Sequence, residues 1–303
     1  MMTNVFERLS GLAVRSLRPE QLQRLRTRYH AGRTALYPLM RAVYGTFDAA
    51  QLAEHLEHRV GRDFEILLVH SSVNNMSPMF TEGPLEMLRM LISYCGPERT
   101  LVMPAFFFGD PKIGGARETF QRNPTFDVRR TPSQMGLLTE LFRRSKGVVQ
   151  SRNPVYRVSA LGPLAESLVR GHENAHSPCG IGTPFDFMAN HDTLILGIGK
   201  RFEVLTQVHH AEDVLGAEFP VPRGDPNPLP ITLVDGPERM PYTLRGSGLE
   251  WKLDMWKLPG IMDSETLEEW RFHHVPMFAT RARDVTESLV KAARNGVTLY
   301  LRP

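Results

Sequence analysis

The stretch Ile66-Leu67-Leu68-Val69-His70-Ser71-Ser72 decides the fold. Four aliphatic residues in unbroken succession are typical of a strand that is buried on both faces, as in a parallel sheet. The run then ends abruptly in small polar side chains. Because ligands bind outside the carboxyl ends of strands in α/β sheets, these polar groups are placed to receive one. A turn satisfied by its own serines is the alternative interpretation.

Outward from this strand, from residue 60 onward, short β-branched runs alternate with helical segments. This alternation predicts an α/β sheet protein. The predicted strands are Ile66–Val69, Thr100–Pro104, Thr193–Ile198, Ile231–Val234 and Val297–Leu301. The predicted helices are Pro84–Cys95, Ser133–Arg144 and two more that begin at Ser264 and Arg281.

The chain has 303 residues, of which 42% are hydrophobic and 23% charged, enough to bury one large core or two modest ones. We expect an Arg-rich helical arm at residues 1–60 and one catalytic α/β domain at 61–303. The first 45 residues hold eight arginines against Glu7 and Glu20, a balance of 8 − 2 = +6, whereas the whole chain carries only +3. The basic character is therefore concentrated in the arm.

The spacing of apolar residues in the arm predicts an amphipathic helix. Its apolar stripe contains Val5, Leu9, Leu12 and Leu17, and Arg8, Arg15 and Arg18 lie off that stripe. A helix packed on the body or on a second subunit, as in a homo-oligomer, is one interpretation. Peripheral contact with an anionic membrane surface or an acidic partner is the other. Nucleic acid is not expected as a partner, because no recognised binding motif accompanies the arginines.

No apolar run reaches the roughly 18 to 20 residues of a membrane span, which predicts a cytoplasmic protein. The two cysteines, Cys95 and Cys179, provide neither a disulfide framework nor a zinc spacing. We expect Cys95 to be a core residue. A nucleophilic Cys179 stays open, although no base lies near it in the sequence.

The most informative segment for chemistry is Glu203–Leu215, which we predict to be a helix with Val204, Val208, Ala211 and Leu215 on its buried face. Its other flank then carries Thr206, His209, Glu212 and Asp213. A carboxylate one turn away can hold one imidazole nitrogen and leave the other free to accept a proton, as a general base requires. A surface or capping histidine is the more common role for such a residue.

A metal site is a second interpretation of the same segment, because His209 and His210 lie beside Glu212 and Asp213. Adjacent residues on a helix point about 100° apart, which disfavours a shared ion. We therefore expect no metal.

Several motifs in order resemble the aminoglycoside 3-N-acetyltransferase family, also called the antibiotic N-acetyltransferase family, over roughly residues 65–216. The matching stretches are L-L-V-H-S-S at 67–72, C-G-P-E-R-T-L-V-M-P at 95–104, F-D at 126–127, M-G-L-L-T-E-L-F-R at 135–143, A-L-G-P-L-A-E-S-L at 160–168, G-I-G-T-P-F at 180–185 and T-Q-V-H-H-A-E at 206–212. Each motif alone is weak. Their order and spacing together are specific.

The resemblance implies a single mixed-sheet α/β domain of the aminoglycoside 3-N-acetyltransferase type and transfer of an acetyl group from acetyl-CoA to a primary amine. It makes His209 the base, Glu212 its orienting carboxylate and Thr206 a hydroxyl near the thioester. It places His70, Ser71, Ser72 and Met103 beside the cofactor. The expected acceptor contacts are Asp213, Glu203, Arg157, Tyr156 and Asn153.

The chain departs from the family pattern on the acceptor side. Asn153 stands where a histidine usually precedes the proline, Ile181 stands where a glutamate is common, and Glu203 replaces an asparagine. We therefore expect a less cationic acceptor than an aminoglycoside, such as an amino sugar in surface glycan synthesis. A resistance enzyme acting on aminoglycosides, a catalytically inactive scaffold protein and a transferase of another acyl group all stay open.

The segment Phe219–Pro230 contains five prolines, too many missing amide donors for a helix or a sheet interior. We predict a loop that forms a wall of the acceptor pocket, with plain connection as the alternative. We also predict direct transfer in a ternary complex, because positioning of the two substrates makes a covalent enzyme intermediate unnecessary.

Overall fold

The structure is a computed structural model that describes residues 34–303, in two compact units. The first unit ends at Thr46, and its described helix is α1 (Tyr37–Tyr44). The second unit runs from Phe47 to Pro303. It starts before the predicted boundary at residue 61, because helix α2 (Ala49–Arg59) buries two leucines in its core. The helix predicted near residues 5–17 lies outside the described residues.

Helices and strands alternate through the second unit. After α2 they are β1 (Ile66–Ser71), α3 (Val73–Met76), α4 (Pro84–Cys95), β2 (Thr100–Pro104), α5 (Ala116–Arg122), β3 (Thr125–Asp127), α6 (Leu137–Arg143), β4 (Val149–Gln150), β5 (Val158–Leu161), α7 (Ala165–Val169), α8 (Pro184–Asn190), β6 (Thr193–Ile198), α9 (Val208–Leu215), β7 (Leu229–Asp235), β8 (Glu238–Leu244), β9 (Lys252–Leu253), β10 (Leu267–Phe272), β11 (Val275–Arg281), α10 (Ala282–Arg294) and β12 (Tyr300–Leu301).

Within residues 34–303, seven strands form the main sheet in the order β10-β11-β6-β1-β2-β5-β4. The central three, β6, β1 and β2, are parallel, and the strands outside them pair antiparallel. Strand β1 pairs with β6 along its whole length, from Ile66 opposite Thr193 to Ser71 opposite Ile198. The carboxyl ends of these parallel strands therefore share one edge of the sheet, as the opening stretch predicts.

Alternation along the strands divides the side chains between two faces of the main sheet. Ile66, Leu68 and Ile195 point to the face where α7, α8, α9 and α10 pack, in one continuous apolar core. On the other side, α4 packs against β2, α2 and α6. A smaller sheet in the order β3-β7-β8 has its own core around Phe120, Phe126 and Leu233.

Most predicted elements are confirmed. The strands Thr100–Pro104 and Thr193–Ile198 and the helix Pro84–Cys95 have the predicted bounds, and the helix predicted from Arg281 begins directly after that residue. Pro84 supplies a fixed φ at the start of α4, and Gly96 ends it at φ +73°.

Three predicted elements are wrong or shortened. The residues after Ser264 form strand β10 rather than a helix, because they pair with β11 along their whole length. Ser133 does not cap a helix: its hydroxyl accepts a hydrogen bond from the Met135 amide at 3.1 Å, and α6 begins only at Leu137. Of the predicted strand Val297–Leu301, only the last two residues pair, with β9.

We predict that Gly197→Ala destabilises the protein by about 1–3 kcal/mol through overpacking. A Cβ at residue 197 would lie 2.0 Å from the ring of Phe278, which is fully buried on the neighbouring strand. Urea unfolding checks this. Gly260→Ala is the control, because nothing lies within 4 Å of its added methyl, and we expect a change within about 0.5 kcal/mol. Equal midpoints for the two variants would contradict the prediction.

Candidate active site

Helix α9 presents the predicted histidine, but it starts later than the sequence indicates. A short 3₁₀ turn at Phe202–Val204 precedes it, and Thr206 lies outside the helix. The Thr206 carbonyl accepts a hydrogen bond from the His209 amide at 3.1 Å, so the threonine immediately precedes the first turn. Val208 and Ala211 pack into the main core, which turns His209, Glu212 and Asp213 to the opposite flank.

His209 and Glu212 form a hydrogen-bonded pair. His209 Nδ1 lies 2.9 Å from Glu212 Oε2. A carboxylate can only accept, so Nδ1 carries the proton and the neutral ring keeps its lone pair on Nε2. Within residues 34–303, Nε2 has no hydrogen-bond partner, and the His209 side chain is 26% exposed. The geometry thus leaves one ring nitrogen available to a ligand.

The second oxygen of the same carboxylate is held by Tyr300. The Tyr300 hydroxyl donates to Glu212 Oε1 at 2.8 Å, and both side chains are buried. Sequence reasoning did not find Tyr300, because it lies in β12, 88 positions from Glu212. No local pattern links the two residues.

The charges around His209 set its protonation. Desolvation by burial lowers the pKa of the imidazole, and the nearby carboxylates of Glu212 and Asp213 together outweigh that effect. The pKa of His209 therefore lies above its ordinary value of 6.5. The pair stabilises an imidazolium once a proton has been accepted.

Asp213 lies on the same helix but is already engaged. Its Oδ2 accepts a hydrogen bond from the Cys179 amide at 3.1 Å, and its Oδ1 lies 3.5 Å from the Arg223 guanidinium. Arg223 also donates to the backbone carbonyl of Glu212 at 2.9 Å. Arg223 belongs to the proline-rich segment, which therefore contacts the helix of the candidate base.

His210 points away from its neighbour. Its Nδ1 donates to the Cys179 carbonyl at 2.6 Å, and its Nε2 faces Asp186 at 3.7 Å. The two histidines thus have separate partners, as the angle between adjacent helical residues predicts. In the described part of the chain, no group of three or more His, Cys, Asp or Glu side chains is arranged to hold a metal ion.

Tyr156 lies edge-on to His209, with ring centroids 6.0 Å apart, and Asn153 fixes the turn that carries it. The Asn153 side-chain oxygen accepts from the amides of Val155 and Tyr156 at 3.0 and 2.8 Å, and its nitrogen donates to the Tyr242 hydroxyl at 3.2 Å. Asn153 is buried, and these bonds are all to other residues of the protein, so in this structure it serves the turn; its contact with an acceptor stays a prediction.

Arg157 and Met103 are corrections. The Arg157 guanidinium is completely buried and donates to three backbone carbonyls, those of Ala105, Val128 and Thr131. It joins strand β5 to the loops beside it and has no surface for an acceptor. Met103 lies in the middle of the sheet with no exposed surface, so its side chain cannot contact a cofactor. Glu203 is exposed in the turn before α9.

The carboxyl end of β1 offers hydroxyls rather than amides. The Ser72 amide donates to the Ile198 carbonyl at 2.9 Å and is therefore occupied. Ser71 and Ser72 are half-buried, and their hydroxyls bond to no other side chain or backbone group in residues 34–303. His70 is buried, and neither of its ring nitrogens has a hydrogen-bond partner in this described part of the chain. Burial lowers the pKa of His70 to about 4.

Two further features concern other parts of the described structure. Burial raises the pKa of the Cys179 thiol well above its ordinary value, which disfavours the thiolate that a nucleophile needs. A cavity of about 590 Å³ lies at the edge strand β4, lined by residues that include Gln150, Arg152 and Asp235. His209 does not line this cavity. We place the candidate active site at the exposed face of His209 because of its pairing with Glu212.

Comparison with known proteins identifies the family. The family model described as aminoglycoside 3-N-acetyltransferase matches residues 68–293, about three quarters of the chain. The chain belongs to the aminoglycoside 3-N-acetyltransferase family. Both the predicted family and the predicted mixed α/β fold are thereby confirmed, and the enzyme class named by this family, an N-acetyltransferase, is the predicted one.

Individual relatives are more distant. Aminoglycoside N(3)-acetyltransferase III from Salmonella sp is 30% identical over 181 residues, which cover 57% of this chain and 62%, less than two thirds, of that enzyme. The crystal structure of aminoglycoside acetyltransferase AAC(3)-Xa aligns with a TM-score of 0.69 at 18% identity, covering 88% of this chain and 99% of that one. A structure of AAC-IIIb with CoASH aligns with a TM-score of 0.67 at 20% identity. The alignment covers 85% of this chain and 100% of that one.

Among the described residues, no helix has the length and apolar composition to span a membrane.

We predict that Glu212→Gln lowers the pKa of His209. The variant removes the main charge that raises this pKa, so desolvation of the ring then dominates. NMR titration of the imidazole should give a midpoint above 6.5 in the wild type and a lower one in the variant. Glu218→Gln, an exposed glutamate just beyond α9, is the control. An unchanged His209 midpoint in Glu212→Gln would disprove the electrostatic coupling.

Proposed function

We propose that the protein transfers an acetyl group from acetyl-CoA to a primary amine of an amino sugar or aminoglycoside-like acceptor, with His209 as the general base. One observation supports this most directly. Glu212 holds Nδ1 of a partly exposed imidazole, and no group among the described residues bonds to Nε2. Family membership supplies the type of reaction.

The residues at the carboxyl end of β1 fit the donor. The half-buried hydroxyls of Ser71 and Ser72 can donate to a carbonyl or amide group that arrives there. Bound acetyl-CoA supplies the acetyl thioester on which the amine acts. Thr206, in the turn before α9, remains the proposed hydroxyl close to that group.

His209 performs the proton transfer. A primary ammonium has a pKa near that of lysine, about 10.4, so the amine must lose a proton to become a nucleophile. His209 Nε2 accepts this proton, while Nδ1–H stays bonded to Glu212. The buried carboxylate stabilises the resulting imidazolium, and Tyr300 fixes that carboxylate. No residue needs to become acetylated, which agrees with the raised pKa of the buried Cys179 thiol.

The acceptor side favours a modestly charged amine. An aminoglycoside carries several positive charges and calls for several free carboxylates. On α9, however, Glu212 is bonded to His209 and Tyr300, and Asp213 is bonded to Cys179 and faces Arg223. With Arg223 beside the site, the acceptor we propose is an amino sugar with few positive charges. The relatives are named for aminoglycosides, and this chain retains their chemistry with a different acceptor.

We predict that His209→Gln lowers kcat for acetyl transfer by about 10²–10⁴-fold, the typical contribution of a general base. Thiol release from acetyl-CoA, followed with an amino-sugar acceptor, measures this. Calorimetric titration should show CoA binding within about twofold of the wild type, because the variant keeps the strand end that holds the donor. The control is His58→Gln, an exposed histidine on α2, which should be fully active.

Two outcomes would contradict the proposal. Full activity of His209→Gln would remove the general base, and failure of the wild type to bind CoA would remove the donor. Rapid thiol release with gentamicin but none with amino sugars would keep the enzyme and reject the acceptor proposed here.

We predict that Arg223→Gln improves the use of polycationic acceptors. The variant releases Asp213 from its opposite charge, so KM for an aminoglycoside should fall about fivefold, equivalent to about 1 kcal/mol for one ion pair. KM for an amine with a single positive charge should change much less. Arg239→Gln, an exposed arginine on β8, serves as the control. The same KM for gentamicin in wild type and Arg223→Gln would exclude Arg223 as a determinant of acceptor charge.

A further inference from the structure

The Glu212 carboxylate is held from both of its oxygens. His209 Nδ1 occupies Oε2 at 2.9 Å, and the Tyr300 hydroxyl occupies Oε1 at 2.8 Å. A carboxylate bonded through one oxygen only can rotate about its terminal torsion, which is broad in side chains of this type. A second donor on the other oxygen fixes that torsion.

Tyr300 itself is rigidly placed. Its strand β12 pairs with β9, its amide donates to the Thr298 hydroxyl at 3.2 Å, and its carbonyl accepts from Lys257 Nζ at 2.8 Å. The ring of Phe219 lies edge-on to it at 5.9 Å.

The tyrosine hydroxyl remains a donor at neutral pH. Burial raises the pKa of Tyr300 above its ordinary value of 10, and the adjacent Glu212 carboxylate raises it further. The O–H bond is therefore kept, and it points at the only acceptor that the structure gives it among the described residues.

We propose that Tyr300 is a positioning residue for acetyl transfer, acting through Glu212 to orient the His209 ring and to moderate the charge that the carboxylate presents to it. This proposal rests on the proposed function for its kinetic consequence and on the geometry alone for its effect on His209. Tyr300 contacts neither ring nitrogen of His209, so its influence passes through the carboxylate.

Other charged and titratable groups face His209 and stay constant in the test. Glu212 and Asp213 lie on its own helix, Tyr156 lies edge-on from the loop before β5, and Arg223 reaches α9 from the proline-rich segment. Only the hydroxyl is removed by Tyr300→Phe. That variant should raise the pKa of His209, because the carboxylate charge that Tyr300 had drawn to Oε1 then acts fully on the imidazole.

The first measurement is NMR titration of His209 in the wild type and in Tyr300→Phe, which needs no substrate. A higher midpoint in the variant supports the proposal, and an equal or lower one overturns it. Tyr94→Phe is the matched control, since this buried tyrosine donates to the Gly61 carbonyl far from α9 in sequence and outside the site. Its His209 midpoint should match the wild type.

The second measurement is a double-mutant cycle on kcat. Tyr300→Phe should lower kcat about tenfold at neutral pH, comparable to one hydrogen bond to a charged group, with KM for acetyl-CoA within about twofold. In a Glu212→Ala background the same substitution should change kcat less than about twofold, because the hydroxyl then has no carboxylate to position. A purely structural role predicts the same loss in both backgrounds, and that result would overturn the proposal.

The two measurements also separate this proposal from the function. A raised His209 midpoint in Tyr300→Phe, together with no acetyl transfer by the wild type or any variant, would reject the proposed function. It would keep the inferred effect of Tyr300 on His209 through Glu212. Acetyl transfer with an unaltered midpoint and additive losses would keep the function and reject the role.

Discussion

The candidate site depends on one buried negative charge. Glu212 lies almost out of solvent on α9, and an unpartnered carboxylate there would be strongly destabilising. Two side-chain donors compensate it, the imidazole of His209 and the hydroxyl of Tyr300. The same bonds that make the charge tolerable also set the tautomer of His209, and so they couple the stability of this region to its chemistry.

The fold brings these donors together from distant parts of the chain. Strand β6 leads through a short turn into α9, and α9 packs with α10 on one face of the main sheet. The segment after α10 returns to place Tyr300 behind Glu212. The proline-rich segment contacts the same helix through Arg223. Only its last two residues, Leu229 and Pro230, lie in a strand, because proline lacks the amide donor that a strand interior needs.

The acidic side chains of α9 are compensated within the protein. The carboxylates that α9 offers are bonded internally or face an arginine, so little free negative charge remains at the candidate base. Arg157, at a position where a polar acceptor contact was expected, is buried and bonded to backbone carbonyls. The α9 carboxylates that could attract a polycation are thus paired with groups of this chain.

Local patterns in the sequence were sufficient to predict the central strands and the helices α4 and α10. They also predicted the pairing of His209 with Glu212, because a spacing of three residues on a helix brings two side chains together. Only the tertiary structure decided that Asn153 and Arg157 serve the scaffold, that Thr206 precedes the helix, and that Tyr300 and Arg223 join the site. Those contacts join positions far apart in the chain or depend on burial. Helical and strand periodicity report only on near neighbours, so such contacts appear only when the core has packed.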